Sequence, residues 1–494
     1  MYRCLLALIL LCLTAPALAQ APVARTPVPS VQQQVESALG TAPPGARFGL
    51  LVVDEQGREV VSVNPNQRFI PASNTKLFTT AAAYALLPGM DQPDVAGGNQ
   101  VWLVTGKRNS PPTVVLVGQG DARMSSAPDC QIDCLAALAD AVAAKTRTVG
   151  DVVGDDTLFP DQRWSPGMSW NNLGSNDATA ASALSLDSNQ LIVRAVPGAT
   201  GQRPALIVPS YITVRNDAVT GPVGTKTTLV FEHRLNSRAF RLYGELPADA
   251  GEWSEWTGVD DPAHYAAWTL AAMLKARGVR VTGTVRVQHR PTKSADDPIA
   301  RGGVVTPNSQ PVRAVPLARL TPPPLAEDVT IINKVSQNHH AELLLRRIAS
   351  QRGTGSLADG LAAEQMVFAA AGVPRAGYDF SDGSGMSTYN RVSPRAAVTL
   401  LRWVAAQPWG QAWYASLPIA GVDGTLQRRF VGTPLAGNLT AKTGSLNATS
   451  AISGTLRAAS GRKLTFGFFA NDIPDGQSAL PIMEEVLLLI AASN

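Results

Sequence analysis

The chain has 494 residues, of which 42 are Lys or Arg and 38 are Asp or Glu, so its formal net charge is only +4. So small a charge on so long a chain argues against a nucleic-acid partner. Hydrophobic residues make up 45% and charged residues 16%, which excludes disordered, collagen-like and coiled-coil classes and favours a globular protein of about three domains.

The N-terminus has the pattern of a secretory signal peptide over residues 1–19. Arg3 precedes a nine-residue apolar run from Leu5 to Leu13, and Ala17-Leu18-Ala19 offers a cleavage site. A bilayer span needs about 20 apolar residues, so an uncleaved anchor is the less favoured alternative. We therefore expect export to the periplasm.

Cleavage there would leave Cys130 and Cys134 as the cysteines of the mature chain. Two cysteines this close together in an exported protein predict one local disulfide, with a redox pair as the alternative. The five histidines have no recognisable spacing to these cysteines, so no metal site and no cofactor are expected.

The hydrophobic pattern predicts elements along the whole chain. The first are a helix at 31–39, strands at 48–53 and 59–63, and a helix at 73–87. From 89 to 290 short β-type runs dominate, which indicates mostly β modules inserted into another domain. The later elements are helices at 335–350, 356–371 and 393–406 and strands at 448–456 and 464–470.

The apolar segment 481–492 is predicted to be a final helix packed on a sheet. An amphipathic membrane anchor is the alternative, but the segment lacks the Lys/Arg-rich face that such anchors use. Membrane association is therefore expected to be peripheral at most.

Three short motifs carry the candidate chemistry. Ser73-Asn74-Thr75-Lys76 begins a predicted helix, and because residues i and i+3 share a helix face, the Lys76 amine is expected beside the Ser73 hydroxyl. A lysine in a desolvated pocket can lose its proton and act as a base for the serine. Alone, this motif also fits a helix cap with a solvated lysine.

The other two motifs lie far along the chain. Ser336-Gln337-Asn338 opens a predicted helix, and Lys442-Thr443-Gly444-Ser445 precedes the strand predicted at 448–456. Each alone fits an ordinary cap or polar turn. In this order, the three resemble the serine acyl-enzyme motifs of penicillin-binding proteins and serine β-lactamases.

The spacing between the first two motifs distinguishes between the families that carry them. Ser73 and Ser336 are 263 positions apart, far more than in β-lactamases, so a large insertion separates them. The chain resembles the low-molecular-mass class C penicillin-binding proteins, the type-4 D-alanyl-D-alanine carboxypeptidase/endopeptidases. Further matching segments are 118–121, 154–156, 183–189, Asn333-Lys334, Ala341-Glu342, 382–387 and 421–426.

The resemblance implies an α/β (α+β) fold. Its catalytic domain has an antiparallel sheet flanked by helices, as in penicillin-binding proteins and serine β-lactamases, and two smaller, mostly β domains interrupt it. The expected boundaries are 20–88 and 308–494 for the catalytic domain, 89–188 and 262–307 for the first inserted domain, and 189–261 for the second.

The resemblance also implies roles for the motif residues. Ser73 would attack the carbonyl of the penultimate D-alanine, with Lys76 as its base. Ser336 would relay a proton to the leaving amine, and Asn338 would hold the substrate amide. Lys442 would bind the terminal carboxylate and stabilise charge.

Three neighbours of Lys442 would bind substrate beside it. Thr443 would contact the terminal carboxylate, and Gly444 continues the same motif. The backbone N–H groups of Ser73 and Ser445 would form the oxyanion hole, since a helix N-terminus and a strand edge both present N–H groups to developing charge.

One segment departs from the family pattern. After Trp170, Asn172 stands at the usual acidic position and Asp177 near the usual aromatic one, so the stem-peptide side-chain preference stays open. The Asp-Gly pairs at Asp382 and Asp423 are interpreted as shaping loops, because such pairs adopt turns.

The expected partners are peptidoglycan stem peptides ending in D-Ala-D-Ala, with β-lactam antibiotics as covalent inhibitors. The alternatives are a serine β-lactamase, a related D-amino-acid amidase or esterase, and a catalytically silent wall-binding protein. A Ser-His-Asp hydrolase would need His339 or His340 as base, but Ser73 lacks a Gly-x-Ser-x-Gly elbow and neither histidine has an evident acid nearby.

Overall fold

The structure is a computed structural model that describes residues 29–106, 110–302 and 315–494. The predicted signal peptide, with Cys4 and Cys12, lies outside the described residues. Within these ranges the α-helices are α1 Val31–Leu39, α2 Thr75–Leu86, α3 Leu135–Lys145, α4 Pro262–Ala276, α5 Leu325–Lys334, α6 Asn338–Arg352, α7 Leu357–Ala370, α8 Pro394–Ala405, α9 Gly410–Ala415 and α10 Leu480–Ser493.

The strands of the described ranges form one large sheet at the chain ends and several sheets in the middle. They are β1 Arg47–Val53, β2 Glu59–Val63, β3 Gln100–Val104, β4 Thr113–Val117, β5 Thr148–Val149, β6 Val152–Pro160, β7 Gln190–Val196, β8 Ala205–Ile207, β9 Thr213–Gly221, β10 Val230–His233, β11 Ala239–Pro247, β12 Trp253–Gly258, β13 Arg280–Val281, β14 Val285–Arg290, β15 Ala318–Arg319, β16 Tyr378–Asp379, β17 Arg391–Val392, β18 Leu439–Leu446, β19 Thr449–Arg457 and β20 Lys463–Asn471.

A five-stranded antiparallel sheet joins the two ends of the chain. Its order is β18-β19-β20-β1-β2, so β1 pairs with β20 across the whole insertion. Side chains alternate between its faces, as strand geometry requires: Phe468 packs towards α1 and α10, and Phe469 packs towards the helices on the other side. This confirms the predicted antiparallel sheet flanked by helices.

Helix α10 packs its buried residues into the same core as α1 and the sheet, as predicted for the C-terminal segment. None of the helices in the described part of the chain has the length and hydropathy needed to cross a membrane. The helix starts also follow the sequence signals: Ser356 Oγ accepts from Asp359 N at 3.1 Å, which caps α7.

The middle of the chain builds a second body around its own hydrophobic core. A mixed five-stranded sheet, β14-β6-β4-β3-β15, packs against α3 and α4, and two three-stranded sheets, β10-β11-β9 and β12-β7-β8, lie beyond it. The predicted disulfide between Cys130 and Cys134 is present just before α3. Strand β15 pairs with β3 although it lies past the expected boundary at 308, and the domain boundaries stay a prediction.

Two elements near the motifs differ from the sequence prediction. Helix α5 was not predicted, and the helix predicted at 335–350 begins only at Asn338, because Ser336 has a φ of +65° that no α-helix accommodates. The Lys442 motif lies inside strand β18 rather than in a turn before a strand. Both differences place motif residues in the site.

Candidate active site

Ser73 lies in a short 3-10 helix, Ala72–Asn74, that leads directly into α2. One turn later, Lys76 Nζ donates to Ser73 Oγ at 2.9 Å, as the i, i+3 spacing predicts. The same Nζ donates to Asn338 Oδ1 at 2.5 Å and to the backbone carbonyl of Ser384. The first two motifs, far apart in sequence, therefore meet at one amine.

The environment of Lys76 favours its neutral amine form. Its side chain is fully buried, and burial lowers its pKa to about 7, although Asp382, Glu342 and Asp177 favour the charged form and oppose part of that fall. Near neutral pH the amine and ammonium forms are both populated. The neutral amine beside Ser73 can accept the hydroxyl proton.

A second lysine forms a parallel network. Lys442 Nζ donates to Ser336 Oγ at 2.9 Å and to the carbonyl of Thr443 at 2.9 Å. Burial, and then the nearby charge of Lys76, hold the pKa of Lys442 well below its usual range. The left-handed backbone of Ser336 turns its hydroxyl towards this lysine in the three-residue break between α5 and α6.

Strand β18 lies against the nucleophile. A Cβ on Gly444 would lie 2.7 Å from the carbonyl oxygen of Pro71 and 2.9 Å from Ser73 N, so only glycine allows this approach. Asn74 Nδ2 donates to the carbonyl of Lys442 at 3.1 Å, which ties the strand to the start of α2. β18 is also an edge strand, so one side of its backbone faces the site.

The remaining residues of the third motif lie along the same edge. Thr443 Oγ1 is 2.7 Å from Thr425 Oγ1, which adds a second hydroxyl from the segment 421–426. Ser445 is exposed and pairs in register with Ser450. The strand thus presents an amine, a hydroxyl and backbone groups in sequence.

Asn338 is the first residue of α6, and it connects the site to the inserted part of the chain. Its Oδ1 accepts from Lys76, and its Nδ2 donates to the backbone carbonyl of Asp177 at 2.8 Å. The segment that departs from the family pattern therefore reaches the site through its backbone. The Asp177 side chain is exposed, and Asn172 lies in a short 3-10 helix, Trp170–Asn172.

The site also depends on two carboxylates whose effect on Lys76 the sequence interpretation missed. Asp382 accepts from the backbone N–H groups of Gly385 and Ser387, which confirms that it shapes a loop. Glu342 Oε1 accepts from the N–H groups of Gly383 and Ser384, both at 3.0 Å. Together they hold the Ser384 carbonyl that bonds Lys76, and their charge acts on its pKa.

The signals for these carboxylates were present in the sequence. Asp382 begins one matching segment and Glu342 ends another. The interpretation of Asp382 as a loop-shaping residue did not include an effect on Lys76. Lys334, also in a matching segment, pairs with Asp423 at 2.5 Å, and Asp423 accepts from Ile419 N at 2.9 Å. Asp423 therefore shapes its loop, as interpreted, and also carries an ion pair.

The histidines do not reach the nucleophile, although one prediction about them was wrong. His340 does have an acid neighbour: its Nδ1 is 3.3 Å from Asp328 Oδ1. The unpredicted helix α5 packs against α6 and brings Asp328 to this position. Its Nε2 faces Ser188, not Ser73. Burial lowers the pKa of His339 to about 3, so that ring stays neutral.

Comparisons with known proteins agree with this geometry. Residues 31–492 match the model of the Peptidase S13 family, described as the D-Ala-D-Ala carboxypeptidase 3 (S13) family. This chain belongs to that family. It is therefore a serine peptidase with the fold of a penicillin-binding protein.

Individual relatives cover almost the whole chain. A D-alanyl-D-alanine carboxypeptidase of Actinomadura sp. (strain R39) is 32% identical over 497 residues, covering 96% of this chain and 87% of the relative. The D-alanyl-D-alanine carboxypeptidase DacB of Haemophilus influenzae is 24% identical over 450 residues, covering 88% of this chain and 87% of the relative. The crystal structure of penicillin binding protein 4 of H. influenzae shares the fold, with a TM-score of 0.76 at 21% identity, and covers 92% of this chain and 97% of that one.

Proposed function

We propose that this protein is a serine D-alanyl-D-alanine carboxypeptidase and endopeptidase that acts on peptidoglycan stem peptides through an acyl-enzyme. The observation that carries the proposal is the pair of lysine-hydroxyl hydrogen bonds, Lys76 with Ser73 and Lys442 with Ser336, in one buried site. Family membership supports the substrate class, because D-Ala-D-Ala carboxypeptidase is the described activity of the family.

Acylation uses both pairs. The neutral amine of Lys76 takes the hydroxyl proton as Ser73 Oγ bonds to the carbonyl carbon of the penultimate D-alanine. The backbone N–H groups of Ser73 and Ser445 stabilise the oxyanion of the tetrahedral intermediate. When the carbon–nitrogen bond breaks, Ser336 passes a proton to the leaving amine, and the proton held by Lys76 replaces it on Ser336, so that Lys76 is again a neutral amine.

Four residues position the substrate. Lys442 and Thr443 bind the terminal carboxylate, and Gly444 lets strand β18 come close enough for the substrate to lie along it. Asn338 orients the substrate amide and, through Oδ1, the Lys76 amine. Water then attacks the acyl-enzyme ester and gives a proton to Lys76. As the bond between the acyl carbon and Ser73 Oγ breaks, Lys76 returns that proton to Oγ and the Ser73 hydroxyl is restored.

The leaving group decides which activity is seen. When the leaving amine belongs to a terminal D-alanine, the reaction is that of a carboxypeptidase, and when it belongs to a neighbouring stem peptide, a cross-link is cut. β-Lactams would acylate Ser73 as covalent inhibitors. In support, the H. influenzae penicillin binding protein 4 has been solved in complex with a β-lactam.

The substrate also sets the compartment. Peptidoglycan lies outside the cytoplasmic membrane, so the proposal includes export by the N-terminal segment 1–19 and action in the periplasm. The predicted catalytic segments 20–88 and 308–494, with their inserted domains, belong to the same proposal. The antiparallel sheet that joins β1 to β20 across the insertion supports them.

The test is mass spectrometry of the intact protein and its peptides after incubation with benzylpenicillin, beside a Ser73→Ala control. A stable adduct on the Ser73 peptide, absent from the control, supports the acyl-enzyme. Rapid hydrolysis of penicillin without a lasting adduct would favour the β-lactamase alternative. No adduct with intact penicillin, and no release of D-alanine from a D-Ala-D-Ala peptide, would overturn the proposal in favour of a silent wall-binding protein.

A further inference from the structure

A cavity of about 410 Å³ lies in the inserted part of the chain, away from both lysine networks. It opens where the β10-β11-β9 and β12-β7-β8 sheets meet the N-terminal end of α4. Tyr211 and Phe240 give it aromatic walls. A pocket with apolar walls and a few convergent polar groups is the usual form of a small-molecule site.

The charges that line this cavity are balanced. Arg163 and Arg238 contribute two guanidinium groups, and Asp260 and Asp261 contribute two carboxylates. Burial lowers the pKa of His264, so at neutral pH this ring adds no charge. Arg163 and Asp261 already pair with each other, with Nη2 3.5 Å from Oδ2. The charges left for a ligand are therefore one cation, Arg238, and one carboxylate, Asp260, and a zwitterion complements both.

Some of these groups lack partners inside the protein. Asp260 is buried, with its side chain 7% exposed, and its Oδ2 accepts from Asn236 N, but its Oδ1 has no hydrogen-bond partner among the described residues. His233 stacks on Phe240 with ring centres 4.5 Å apart, and its Nε2 is 3.3 Å from Asp260 Oδ2 without hydrogen-bond geometry. Buried polar atoms in native proteins are nearly always paired.

Arg238, at the rim of the cavity, is a cation without a carboxylate partner among the described residues. Arg238 is exposed, and its guanidinium lies 5.3 Å from the ring centre of Tyr211. It forms no ion pair with any carboxylate in the described part of the chain. A guanidinium fixed over an aromatic ring is well placed to bind a carboxylate with two hydrogen bonds.

We propose that this cavity binds an amino-acid zwitterion, with its carboxylate on Arg238, its ammonium at Asp260 and its aliphatic part between Tyr211 and Phe240. Two sources supply that chemistry: the free D-alanine that the reaction releases, and the diamino acid of a second stem peptide. The choice between these sources rests on the proposed function, whereas binding of the zwitterion does not.

The cavity wall is tied to the active site by short hydrogen-bonded connections. Gly258 N donates to the carbonyl of Gly174 at 2.7 Å, and the segment from Gly174 leads to the Asp177 carbonyl that accepts from Asn338.

The experiment is calorimetric titration of protein already acylated with benzylpenicillin, so that the catalytic serine is blocked. The probes are meso-diaminopimelate, D-alanine, pimelate, which has the same carbon chain without ammonium groups, and cadaverine, which lacks carboxylates. We expect saturable binding of a zwitterion and at least tenfold weaker binding of pimelate and cadaverine. D-Alanine binding would indicate the released product, and binding of meso-diaminopimelate alone would indicate the stem peptide.

Variants decide whether the binding is in this cavity. Arg238→Gln and Asp260→Asn should each weaken the bound zwitterion at least tenfold, and Ser237→Ala, which changes an uncharged lining residue, should not. Arg238 is exposed, so its variant tests the proposal even if Asp260→Asn does not fold. Equal binding of pimelate or cadaverine, no binding of either zwitterion, or unchanged affinity in Arg238→Gln would overturn the proposal.

Failure of the proposed function gives a different result. If benzylpenicillin does not acylate the protein, the serine chemistry fails, and the same titrations are made on the unmodified protein. The cavity proposal is then judged by the same two charge variants and the same Ser237→Ala control.

Discussion

The clearest test of the electrostatics around Lys76 is the variant Glu342→Gln. In the structure Glu342 Oε1 accepts from Gly383 N and Ser384 N, and Oε2 accepts from Ser165 Oγ. Glutamine keeps the Oε1 acceptor, and the Ser165 hydroxyl can rotate to accept from the new amide. Burial, and then the charge of Asp382, raise the pKa of Glu342. At a pH above that pKa the substitution removes one negative charge, while the loop that holds Lys76 stays in place.

The magnitude follows from Coulomb's law. With a separation of roughly 7 Å through the Ser384 peptide and an effective dielectric constant of about 20, the Glu342–Lys76 attraction is about 2 kcal/mol. A pKa unit corresponds to about 1.4 kcal/mol. Because the carboxylate favours the ammonium, its removal lowers the pKa of Lys76 further, and the acid limb of acylation should move about one to two pH units towards acid.

The assay is the rate of acylation by benzylpenicillin between pH 4.5 and 9. In the unmodified protein the rate should rise with pH through about 7, the pKa of Lys76, because only the neutral amine accepts the Ser73 proton. In Glu342→Gln the midpoint should lie at lower pH. The quantity compared between the proteins is the pH at the midpoint of the acid limb. Thermal unfolding of each variant shows whether it is folded at the assay temperature.

A matched control comes from the same buried region. Glu364 is also buried, and burial raises its pKa to about 8, so it is uncharged at pH 6. Glu364→Gln should therefore leave the acid limb in place. A limb that stays near pH 7 in an acylating Glu342→Gln protein, or that moves equally in Glu364→Gln, would refute this account of Lys76.

Three further predictions test the site and the fold. Gly444→Ala should slow acylation about 100-fold in stopped-flow measurements, because the added Cβ displaces strand β18 from the nucleophile. Gly251 lies in open space, so the control variant Gly251→Ala should acylate at the unmodified rate. The hydrogen bond to Asp156 is the main cause that raises the pKa of His289 to about 10, so the stabilisation by His289 is complete below pH 6.5 and is lost as the pH rises through 10. In urea unfolding, His289→Gln should therefore lower the free energy of unfolding more at pH 6 than at pH 10. Cys130→Ser opens a short disulfide loop and should cost about 2 kcal/mol in the same assay.

Local spacing made the first pair of site residues predictable. Ser73 and Lys76 are three residues apart at a helix start, so their contact follows from helix geometry alone. The contact between Lys76 and Asn338 bridges 262 positions. No periodicity specifies such a contact, and only the resemblance suggested it, because it depends on how α2 packs against α6.

Strand β18 shows why the third motif was misplaced. The run from Ala441 to Ser445 has a single β-branched residue, Thr443, and no aromatic residue, so it gives only a weak strand signal. It becomes a strand through its partner: Lys442 pairs with Ser453 and Gly444 with Ala451 along β19. The register, which is a tertiary property, thus places the Lys442 side chain in the site.

The two buried lysines give the proposed reaction an internal order. Lys442 and Lys76 lie in one dry site, so a charge on either disfavours a charge on the other. A substrate carboxylate bound at Lys442 favours the ammonium form of that lysine. The resulting cation in turn favours the neutral amine of Lys76, the form that takes the proton of Ser73. Binding of the correct peptide end thereby prepares the base for the step that follows.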